Sequence, residues 1–218
     1  MEDMKNVKVE YFGANGKGAV IRALLWSNNV TYEDVKYSFE EWGKIKKSGN
    51  YEFEQLPAFE YNGKRMFQSA AICNFLSRKF NLLGKTLDDE YLHLSVLCSI
   101  DDANPKFYPG YFAMTPEGQA QMEDKRKEWK EVHAPHFLKI WEKRFNAHAG
   151  KYCVGDNFGL ADIVMTVILT NWFKTGSRKD AEPILNEFAP NLAKHIANVA
   201  KNELAIFFEK GWIHDAIL

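Results

Sequence analysis

The apolar residues of this 218-residue chain change their spacing near residue 81, and this change limits the fold more than any other feature. Before it, short alternations typical of β-strands are separated by helical spacing, whereas after it only helical spacing occurs. The later segments lie near 88–112, 116–148, 159–175, 181–188 and 191–209. We therefore predict an α+β fold with two domains, an α/β domain over residues 1–81 and an all-helical domain over residues 88–218.

A βαβ unit opens the chain. Val7, Val9 and Tyr11 alternate with polar residues and predict a strand, and apolar residues at helical spacing over residues 18–28 predict the helix that follows. Tyrosine and valine recur among polar residues over 31–37 and predict a second strand. The three elements span roughly 30 residues, the usual length of such a unit.

A hairpin and a helix complete the first domain. Asn62-Gly63 between two apolar runs predicts a tight turn, with strands near 57–61 and 64–67. Apolar residues then recur at helical spacing, and the hydroxyl of Ser69 is expected to cap this helix. The order βαβ followed by ββα describes a small unit with both parallel and hairpin pairing.

Two places interrupt the periodic pattern. Residues 40–54 have no clear period and contain two glycines, so we expect an irregular loop with about one turn of helix. Pro135 falls inside the longest helical segment, where it removes a backbone donor and clashes with the preceding turn. We expect it to kink or divide that segment near Ala134.

Charge and composition exclude several classes of function. Lysine and arginine total 28 against 29 aspartates and glutamates, a net charge of −1 with a pI of about 6.6, so there is no basic surplus to bind a nucleic acid backbone. The N-terminal residues lack the apolar segment of a signal peptide, and no stretch approaches the roughly 18 apolar residues of a membrane span. We expect a soluble, cytoplasmic protein with no nucleic acid or membrane partner.

The cysteines and histidines predict neither a disulfide framework nor a metal site. Cys73, Cys98 and Cys153 are odd in number, widely spaced and without metal-ligand spacing. His133 and His136 have an HxxH spacing, but a proline lies between them and no acidic residue completes the frame, so we interpret them as surface histidines. The prediction is that no metal takes part.

A glycine-rich loop at residues 13–18 connects the first strand to the first helix. Its spacing fits neither a phosphate loop nor a dinucleotide fingerprint, so we interpret the glycines as allowing a tight turn and close approach of a ligand. Tyr11 precedes this loop, at the strand end where ligands collect in α/β units. Its hydroxyl is either satisfied within the core or free to donate a hydrogen bond to a bound thiolate, which lowers the pKa of that thiol.

Trp42 and Lys46 stand four residues apart in the irregular segment. A helical turn there would place an indole donor and an ammonium group on one face, where both can bind a carboxylate. The alternative is a surface pair without a ligand.

Two further polar positions follow. Leu56-Pro57 is either an ordinary strand start or a cis bond beside which the Leu56 main chain can pair with an extended peptide. Gln68-Ser69 lies at a helix N-terminus, where free amides attract a carboxylate. The alternative for Ser69 is a plain helix cap.

The order of these signals along one chain resembles the cytosolic glutathione S-transferases, and most closely their sigma class, which includes prostaglandin D synthases and lens S-crystallins. The resemblance covers essentially the whole chain. It rests on Tyr11-Phe12 with the segment GKGAVIR, the segment WGKIK, Gln55-Leu56-Pro57, Gln68 to Ile72, and Ala134-Pro135-His136. It implies a thioredoxin-like N-terminal domain, an α-helical C-terminal domain and a homodimer.

The resemblance also implies roles for individual residues. Tyr11 would be the catalytic residue, whose hydroxyl stabilises the glutathione thiolate. The residues implied to bind glutathione are Tyr11, Lys17, Trp42, Lys46, Gln55, Leu56, Pro57, Gln68 and Ser69. An acidic position, Asp101 or Asp102, with Asp102 taken as the binding residue, would reach glutathione in the partner subunit. The hydrophobic co-substrate would lie between the domains, against Phe12, Ala14, Tyr108, Tyr111, Phe112 and the segment Trp212 to Leu218.

Three departures from the sigma pattern stand out. Asn15 and Lys17 occupy positions where that class usually has arginines, and lysine keeps the charge without the planar guanidinium. Gly159 stands three residues before Asp162, so the hydroxyl half of a helix capping box is missing. Cys98 stands where prostaglandin D synthases have the first of three interface aspartates.

These features together predict an enzyme, a glutathione transferase that joins its co-substrate glutathione to small hydrophobic electrophiles. Holding the two reactants together and keeping the sulfur anionic would supply the catalysis. Two alternatives stay open at this point. One is a glutathione-dependent prostaglandin-H2 D-isomerase, in which the same thiolate opens a peroxide bond, and the other is a non-catalytic structural or binding protein on the same fold.

Overall fold

A mixed four-stranded sheet forms the N-terminal part of the protein. The computed structural model describes residues 4–111 and 115–214, apart from the side chains of Tyr111 and Ser177. The strands are β1 (Lys8–Phe12), β2 (Glu33–Tyr37), β3 (Ala58–Tyr61) and β4 (Lys64–Phe67). They lie in the order β2-β1-β3-β4, with β1 parallel to β2 and antiparallel to β3, and β3 antiparallel to β4. This confirms the predicted combination of parallel and hairpin pairing.

Helices flank the sheet and make up the remainder. They are α1 (Gly16–Ser27), α2 (Phe39–Ile45), α3 (Ser69–Lys79), α4 (Leu87–Tyr111), α5 (Pro116–Glu128), α6 (Ala134–His148), α7 (Leu160–Phe173), α8 (Glu182–Phe188) and α9 (Pro190–Lys201). Short π-helical turns cover Trp129–His133 and Phe207–Gly211, and a 3₁₀ segment covers Gly176–Ala181. The α+β fold is confirmed. Across the described ranges, no helix is long and apolar enough to span a bilayer.

The longest predicted helical segment is divided at Pro135, as expected. A π-helical turn ends at His133, and α6 begins at Ala134 with the proline in its first turn. The backbone stays helical across this junction, because the Ala134 N–H donates to the Trp129 carbonyl in the wider π-helical pattern, an interruption that proline commonly accompanies.

Residues 39–45 form α2, about two turns of helix, which is longer than the single turn predicted within the irregular stretch. Ser38 caps this helix, because its hydroxyl accepts a hydrogen bond from the Glu41 N–H (3.2 Å) and its own N–H donates to Glu41 Oε2 (2.7 Å). This is a reciprocal capping box, and its Ser-x-x-Glu spacing is visible in the sequence. The helix places Trp42 and Lys46 one turn apart, with the Lys46 N–H donating to the Trp42 carbonyl at 2.9 Å.

The prediction that Ser69 caps α3 was wrong. Ser69 is the first residue of the helix, and the capping position belongs to Gln68, whose side chain makes no cap hydrogen bond. Gln68 adopts a φ of 67°, a left-handed conformation that is uncommon for residues other than glycine. Such backbone strain is frequent at ligand sites.

Helix α7 occupies the centre of the molecule. All of its residues except Thr170 are buried, and it packs against α4, α9 and α1. Its sequence has no polar face, as expected for a helix surrounded on all sides. Trp172 stacks on Phe107 of α4, with ring centroids 4.6 Å apart, and meets Trp129 edge-on. Helix α7 therefore joins the helical part to α1 and so to the sheet.

Half of a capping box begins α7, as the sequence predicts. Gly159 has no side chain, but its N–H donates to Asp162 Oδ2 at 3.0 Å. The other carboxylate oxygen, Oδ1, accepts from the Cys153 N–H (2.8 Å) and from His195 Nε2 (2.7 Å). Among the described residues, Cys153, Asp162 and His195 are the one group of three possible metal ligands that lie together. Because both carboxylate oxygens already accept protein hydrogen bonds, this arrangement is that of a helix cap.

Candidate active site

Tyr11 lies at the C-terminal end of β1, and the glycine loop is shaped around its ring. The side chain is buried, and a Cβ atom on Gly16 would lie 2.7 Å from the hydroxyl oxygen. A Cβ on Gly18 would overlap the ring itself. Gly16 also has a φ of 37°, which favours glycine. The glycines interpreted from sequence as allowing close approach therefore make room for the tyrosine.

The Tyr11 hydroxyl is a protonated donor at neutral pH. Burial raises its pKa above the usual value, an effect opposed in part by a hydrogen bond from the Lys17 main-chain N–H (3.3 Å) and by the positive charge of Arg22. A protonated hydroxyl whose oxygen already accepts one bond can give its hydrogen to an anion. A donor of this kind can stabilise a thiolate that lies within hydrogen-bond distance of it.

Arg22 is a buried cation that the sequence analysis missed. Its side chain has no solvent exposure, and its guanidinium carbon lies 5.8 Å from the centre of the Tyr11 ring. Nε donates to Asp34 Oδ1 (2.9 Å) and another nitrogen donates to the Ala14 carbonyl (2.8 Å). The available signal was an arginine inside the apolar run of α1, since buried arginines are rare unless paired.

Lys17 assists Tyr11 through its main chain and directs its side chain elsewhere. The ammonium group lies 2.6 Å from Asp101 Oδ1, which joins α1 to α4. Asp101 also accepts a hydrogen bond from Asn104. The adjacent Asp102 is exposed, and its carboxylate has no partner within the described ranges.

Asn15 ties the C-terminal segment to the glycine loop. Its side chain is buried, its Nδ2 donates to the Ile213 carbonyl (2.9 Å), and its Oδ1 accepts from the Ile213 N–H (3.1 Å). This two-point contact joins residues 198 positions apart in the chain. Asn15 therefore holds residues near 213 beside the loop that follows Tyr11.

Trp42 and Lys46 lie on the α2 side of the sheet. Trp42 is buried and meets Tyr51 edge-on, with ring centroids 4.7 Å apart. Lys46 is half-buried at the end of α2, and its ammonium group has no partner in the part of the chain that the structure describes. The two residues therefore lie one helical turn apart, as the sequence analysis supposed, and their binding of a carboxylate stays a prediction.

The third group of predicted residues lies at the start of β3 and α3. The Leu56-Pro57 bond is cis, and the main-chain N–H and C=O of Leu56 have no hydrogen-bond partner among residues 4–111 and 115–214. Gln68 Nε2 donates to Gln55 Oε1 at 3.3 Å, which links the two glutamines. Ser69 lines a small cavity together with Lys17 and Asp101.

The predicted co-substrate residues are only partly described. Phe12 packs against Phe39 of α2, with ring centroids 4.7 Å apart, and Ala14 is buried. Tyr108 of α4 is half-buried, and burial together with the nearby Tyr11 raises its pKa above the usual value. The Tyr111 side chain, Phe112 and Leu218 lie outside the described residues.

A cavity of about 510 Å³ lies between α1, β2 and the C-terminal segment. Trp212 and Ile213, two of the predicted co-substrate residues, line it together with Trp26, Tyr32 and Asp34. Phe12, Ala14 and Tyr108 do not line this cavity. It is therefore separate from the space next to Tyr11, and the pocket between the domains stays a prediction.

A thioredoxin-like sheet with a tyrosine at the end of its first strand, a cis-proline opening the third strand and a helical second half define the glutathione transferase class of fold. Residues 7–78 match the family model of the glutathione S-transferase N-terminal domain, and residues 102–210 match that of the C-terminal domain. The chain belongs to the glutathione S-transferase family.

Named relatives and solved structures agree with this assignment. A class-mu 28 kDa glutathione S-transferase of Schistosoma bovis is 31% identical over 89% of this chain and 96% of its own, and glutathione S-transferase 4 of Caenorhabditis elegans is 34% identical over 79% and 83%. A nu-class enzyme of Haemonchus contortus superposes with a TM-score of 0.77 at 28% identity, covering 94% of this chain and 96% of its own. Two of these relatives carry the class names mu and nu, so they do not single out the sigma class.

Proposed function

We propose that this protein is a glutathione transferase that joins the glutathione thiolate to hydrophobic electrophiles, with Tyr11 as the catalytic residue. The observation that carries the proposal is the buried, protonated Tyr11 hydroxyl, which accepts from the Lys17 N–H, with the Arg22 guanidinium 5.8 Å from the centre of its ring. A hydrogen bond from this hydroxyl to sulfur favours the ionised thiol, and the thiolate is the nucleophile.

Glutathione would lie extended along the edges of the site. Its glycine carboxylate would meet the Trp42 indole and the unpaired Lys46 ammonium group, and its cysteinyl unit would pair with the free main chain of Leu56 beside Pro57. Support for this placement comes from the absence of competing partners for these groups in the described chain.

The γ-glutamyl end would reach the N-terminus of α3. Gln68 and Ser69 lie there with free helical amides, and Gln55 contacts Gln68. Lys17 would contribute through its main chain, since its side chain is paired with Asp101.

The hydrophobic electrophile would approach Tyr11 from α4 and the C-terminal segment. Phe12, Ala14 and Tyr108 lie around the tyrosine, and Asn15 holds the Ile213 region close to the loop. Bringing the two reactants together in one apolar space is the second source of rate enhancement. No described residue favours the isomerase or the non-catalytic alternative over this function.

A homodimer and a cytoplasmic location are part of the proposal. Leu87, Tyr91, Cys98 and Asp102 are exposed on one side of α4, because their spacings of four and seven residues bring them to one face at about 3.6 residues per turn. A partner subunit covering this face would bring Asp102 toward the partner's glutathione. All three cysteines are free, which suits a reducing compartment.

Sigma-class membership is proposed on sequence grounds alone. It rests on the motif order and the segments GKGAVIR and WGKIK.

The test is the ultraviolet absorbance of the thiolate when glutathione is titrated from pH 5 to 9 into wild type, Tyr11→Phe and the control Tyr32→Phe. Tyr32 also has a hydrogen-bonded hydroxyl, to Trp26, but lies away from the proposed sulfur position. We expect the bound thiol to ionise at least about one pH unit lower in wild type and Tyr32→Phe than in Tyr11→Phe, about 1.4 kcal/mol of thiolate stabilisation. Coincident curves for all three proteins would overturn the role of Tyr11, and no glutathione binding would overturn the function.

A further inference from the structure

A buried carboxylate lies on β1 next to the catalytic tyrosine but takes no part in the site described above. Glu10 is only 6% exposed. Its Oε2 accepts hydrogen bonds from the hydroxyls of Tyr51 (2.6 Å) and Tyr37 (3.0 Å), and its Oε1 accepts from Arg65 (2.7 Å). A buried charge is tolerated when it is paired and fully hydrogen-bonded, and Glu10 satisfies both conditions.

This cluster holds the segment between α2 and β3. Residues 47–50 and 52–55 are exposed, whereas Tyr51 between them is buried. Arg65 of β4 uses a second nitrogen to donate to the Asn50 carbonyl (3.1 Å), and its guanidinium lies 4.9 Å from the centre of the Tyr51 ring. Tyr51 is therefore the anchor of an otherwise exposed stretch, and Glu10 with Arg65 fixes that anchor.

The Tyr51 ring packs directly against Trp42. The two rings meet edge-to-face, with centroids 4.7 Å apart and an interplanar angle of 88°, a favourable aromatic arrangement. Trp42 in turn receives the Lys46 N–H on its carbonyl. A displacement of the Tyr51 ring would therefore move the indole and loosen the end of α2 that carries the ammonium group.

The protonation of the cluster suits this role. Burial, with the hydrogen bond to Glu10, raises the pKa of the Tyr51 phenol, and burial likewise raises that of Tyr37, so both hydroxyls remain donors at neutral pH. Arg65 balances the Glu10 charge. The ion pair with Arg65 therefore reduces the negative field that Glu10 exerts on its surroundings.

We infer that Glu10, Arg65 and Tyr51 form a positioning cluster that sets Trp42 and Lys46 for the glycine carboxylate of glutathione. The inference rests on the proposed function and goes beyond it by naming residues that touch neither substrate. Their contact with the site runs through the Tyr51 ring against Trp42, so we expect their removal to change binding mainly at one end of the tripeptide and to leave the thiolate chemistry at Tyr11 intact.

The experiment compares two ligands on matched variants. Tyr51→Phe removes the hydroxyl but keeps the ring, Glu10→Gln removes the charge, and Tyr32→Phe is the control for loss of a hydrogen-bonded hydroxyl in the same part of the protein. Each variant is titrated with glutathione and with the glycyl monoethyl ester of glutathione, in which only the glycine carboxylate is neutralised. Circular dichroism and thermal unfolding establish that each variant is folded.

We expect Tyr51→Phe to raise the glutathione Kd and KM by about tenfold, with kcat at saturation unchanged. Glu10→Gln should act in the same direction. For the glycyl ester, wild type, Tyr51→Phe and Glu10→Gln should bind alike, since the carboxylate that Trp42 and Lys46 would bind is neutralised. Tyr32→Phe should match wild type with both ligands.

Two results would overturn the inference. In the first, Tyr51→Phe weakens both ligands equally, which is the behaviour of general loosening, or weakens neither. In the second, wild type binds both ligands with equal affinity, so that Trp42 and Lys46 do not hold the glycine carboxylate. The second result leaves the Tyr11 thiolate titration as a separate measurement, so failure of the proposed chemistry and failure of the positioning cluster are distinguishable.

Discussion

The two halves of the site are built in opposite ways. Around Tyr11, the chain from 11 to 22 supplies the hydroxyl, the glycines that make room for it, the N–H of Lys17 and the Arg22 cation. Around Trp42, the helix and the exposed stretch after it depend on contacts from Glu10 and Arg65, which lie outside that segment. The first half is a local assembly, and the second is held in place by the sheet beneath it.

In the proposed function, the half around Tyr11 stabilises the thiolate, and the half around Trp42 binds the glycine end of glutathione. Substitutions in the first half should change both stability and the thiol pKa, because buried groups are packed against one another. Substitutions at the exposed contacts of the second half should change stability little.

We expect the largest loss of stability when Asp34, the carboxylate partner of the buried Arg22, is removed. Asp34→Ala leaves the fully buried Arg22 with main-chain acceptors alone, and we expect the free energy of unfolding to fall by about 3 kcal/mol. The control is Glu60→Ala, which removes a half-exposed partner of Arg65 at 3.8 Å and should cost less than about 1 kcal/mol. Urea denaturation measures both, and equal losses would contradict the contrast.

Replacing glycine by alanine should lower stability at Gly18 and raise it at Gly43. In Gly18→Ala the added methyl group overlaps the Tyr11 ring, so we expect a loss of about 2 kcal/mol and a raised thiol pKa. In Gly43→Ala of α2 nothing lies within 4 Å of the added carbon, and the helix should gain about 0.5 kcal/mol. Thermal unfolding together with the thiolate titration would show both, and a stabilised Gly18→Ala would be the contrary result.

Loss of the Asn15 amide should release the C-terminal segment. Asn15→Ala removes both hydrogen bonds to Ile213, at a cost of about 1 kcal/mol. Hydrogen exchange at the Ile213 amide should accelerate, and KM for the electrophile should rise while KM for glutathione is unchanged. Exchange at the wild-type rate would mean that other contacts hold the segment.

The smallest effect is expected at the ion pair between α1 and α4. Lys17 and Asp101 are each about one-third exposed. Lys17→Ala should therefore lower the free energy of unfolding by about 0.5 kcal/mol at low salt. At about 1 M salt, where screening is strong, the loss should not be measurable. Because the Lys17 main chain still donates to Tyr11, the thiol pKa should be unchanged. A large rise in that pKa would assign the ammonium group a direct role.

Much of the fold could be predicted because its signals are local. The Asn62-Gly63 turn set the hairpin, and Pro135 divided the helical segment where expected. Helix α2 was predicted too short, although Ser38 and Glu41 carry the capping signal, because the segment is too short for a clear apolar period. Ser69 was misplaced by one position, within the usual uncertainty of helix boundaries.

The site residues, too, could be predicted from sequence only where their contacts are local. Tyr11 and its glycine loop were identifiable because strand, loop and helix are consecutive. Glu10 bonds with Arg65 from 55 residues away and Asn15 with Ile213 from 198 residues away, and no short pattern encodes such pairs. In the sequence, Glu10 was one of the polar residues alternating along a strand. It is buried because the fold brings Tyr37, Tyr51 and Arg65 to the same face of the sheet.

A chain is synthesised from its N-terminus, so the contact between Asn15 and Ile213 can form only late in synthesis. The sheet and the glycine loop are complete in the early part of the chain, whereas the partner of the Asn15 amide is made 198 residues later. Until then, the amide must be hydrated. A growing chain can thus fold its α/β part with Tyr11 in place while the wall formed by the later segment is missing, so nascent glutathione recognition would precede selectivity for the second substrate.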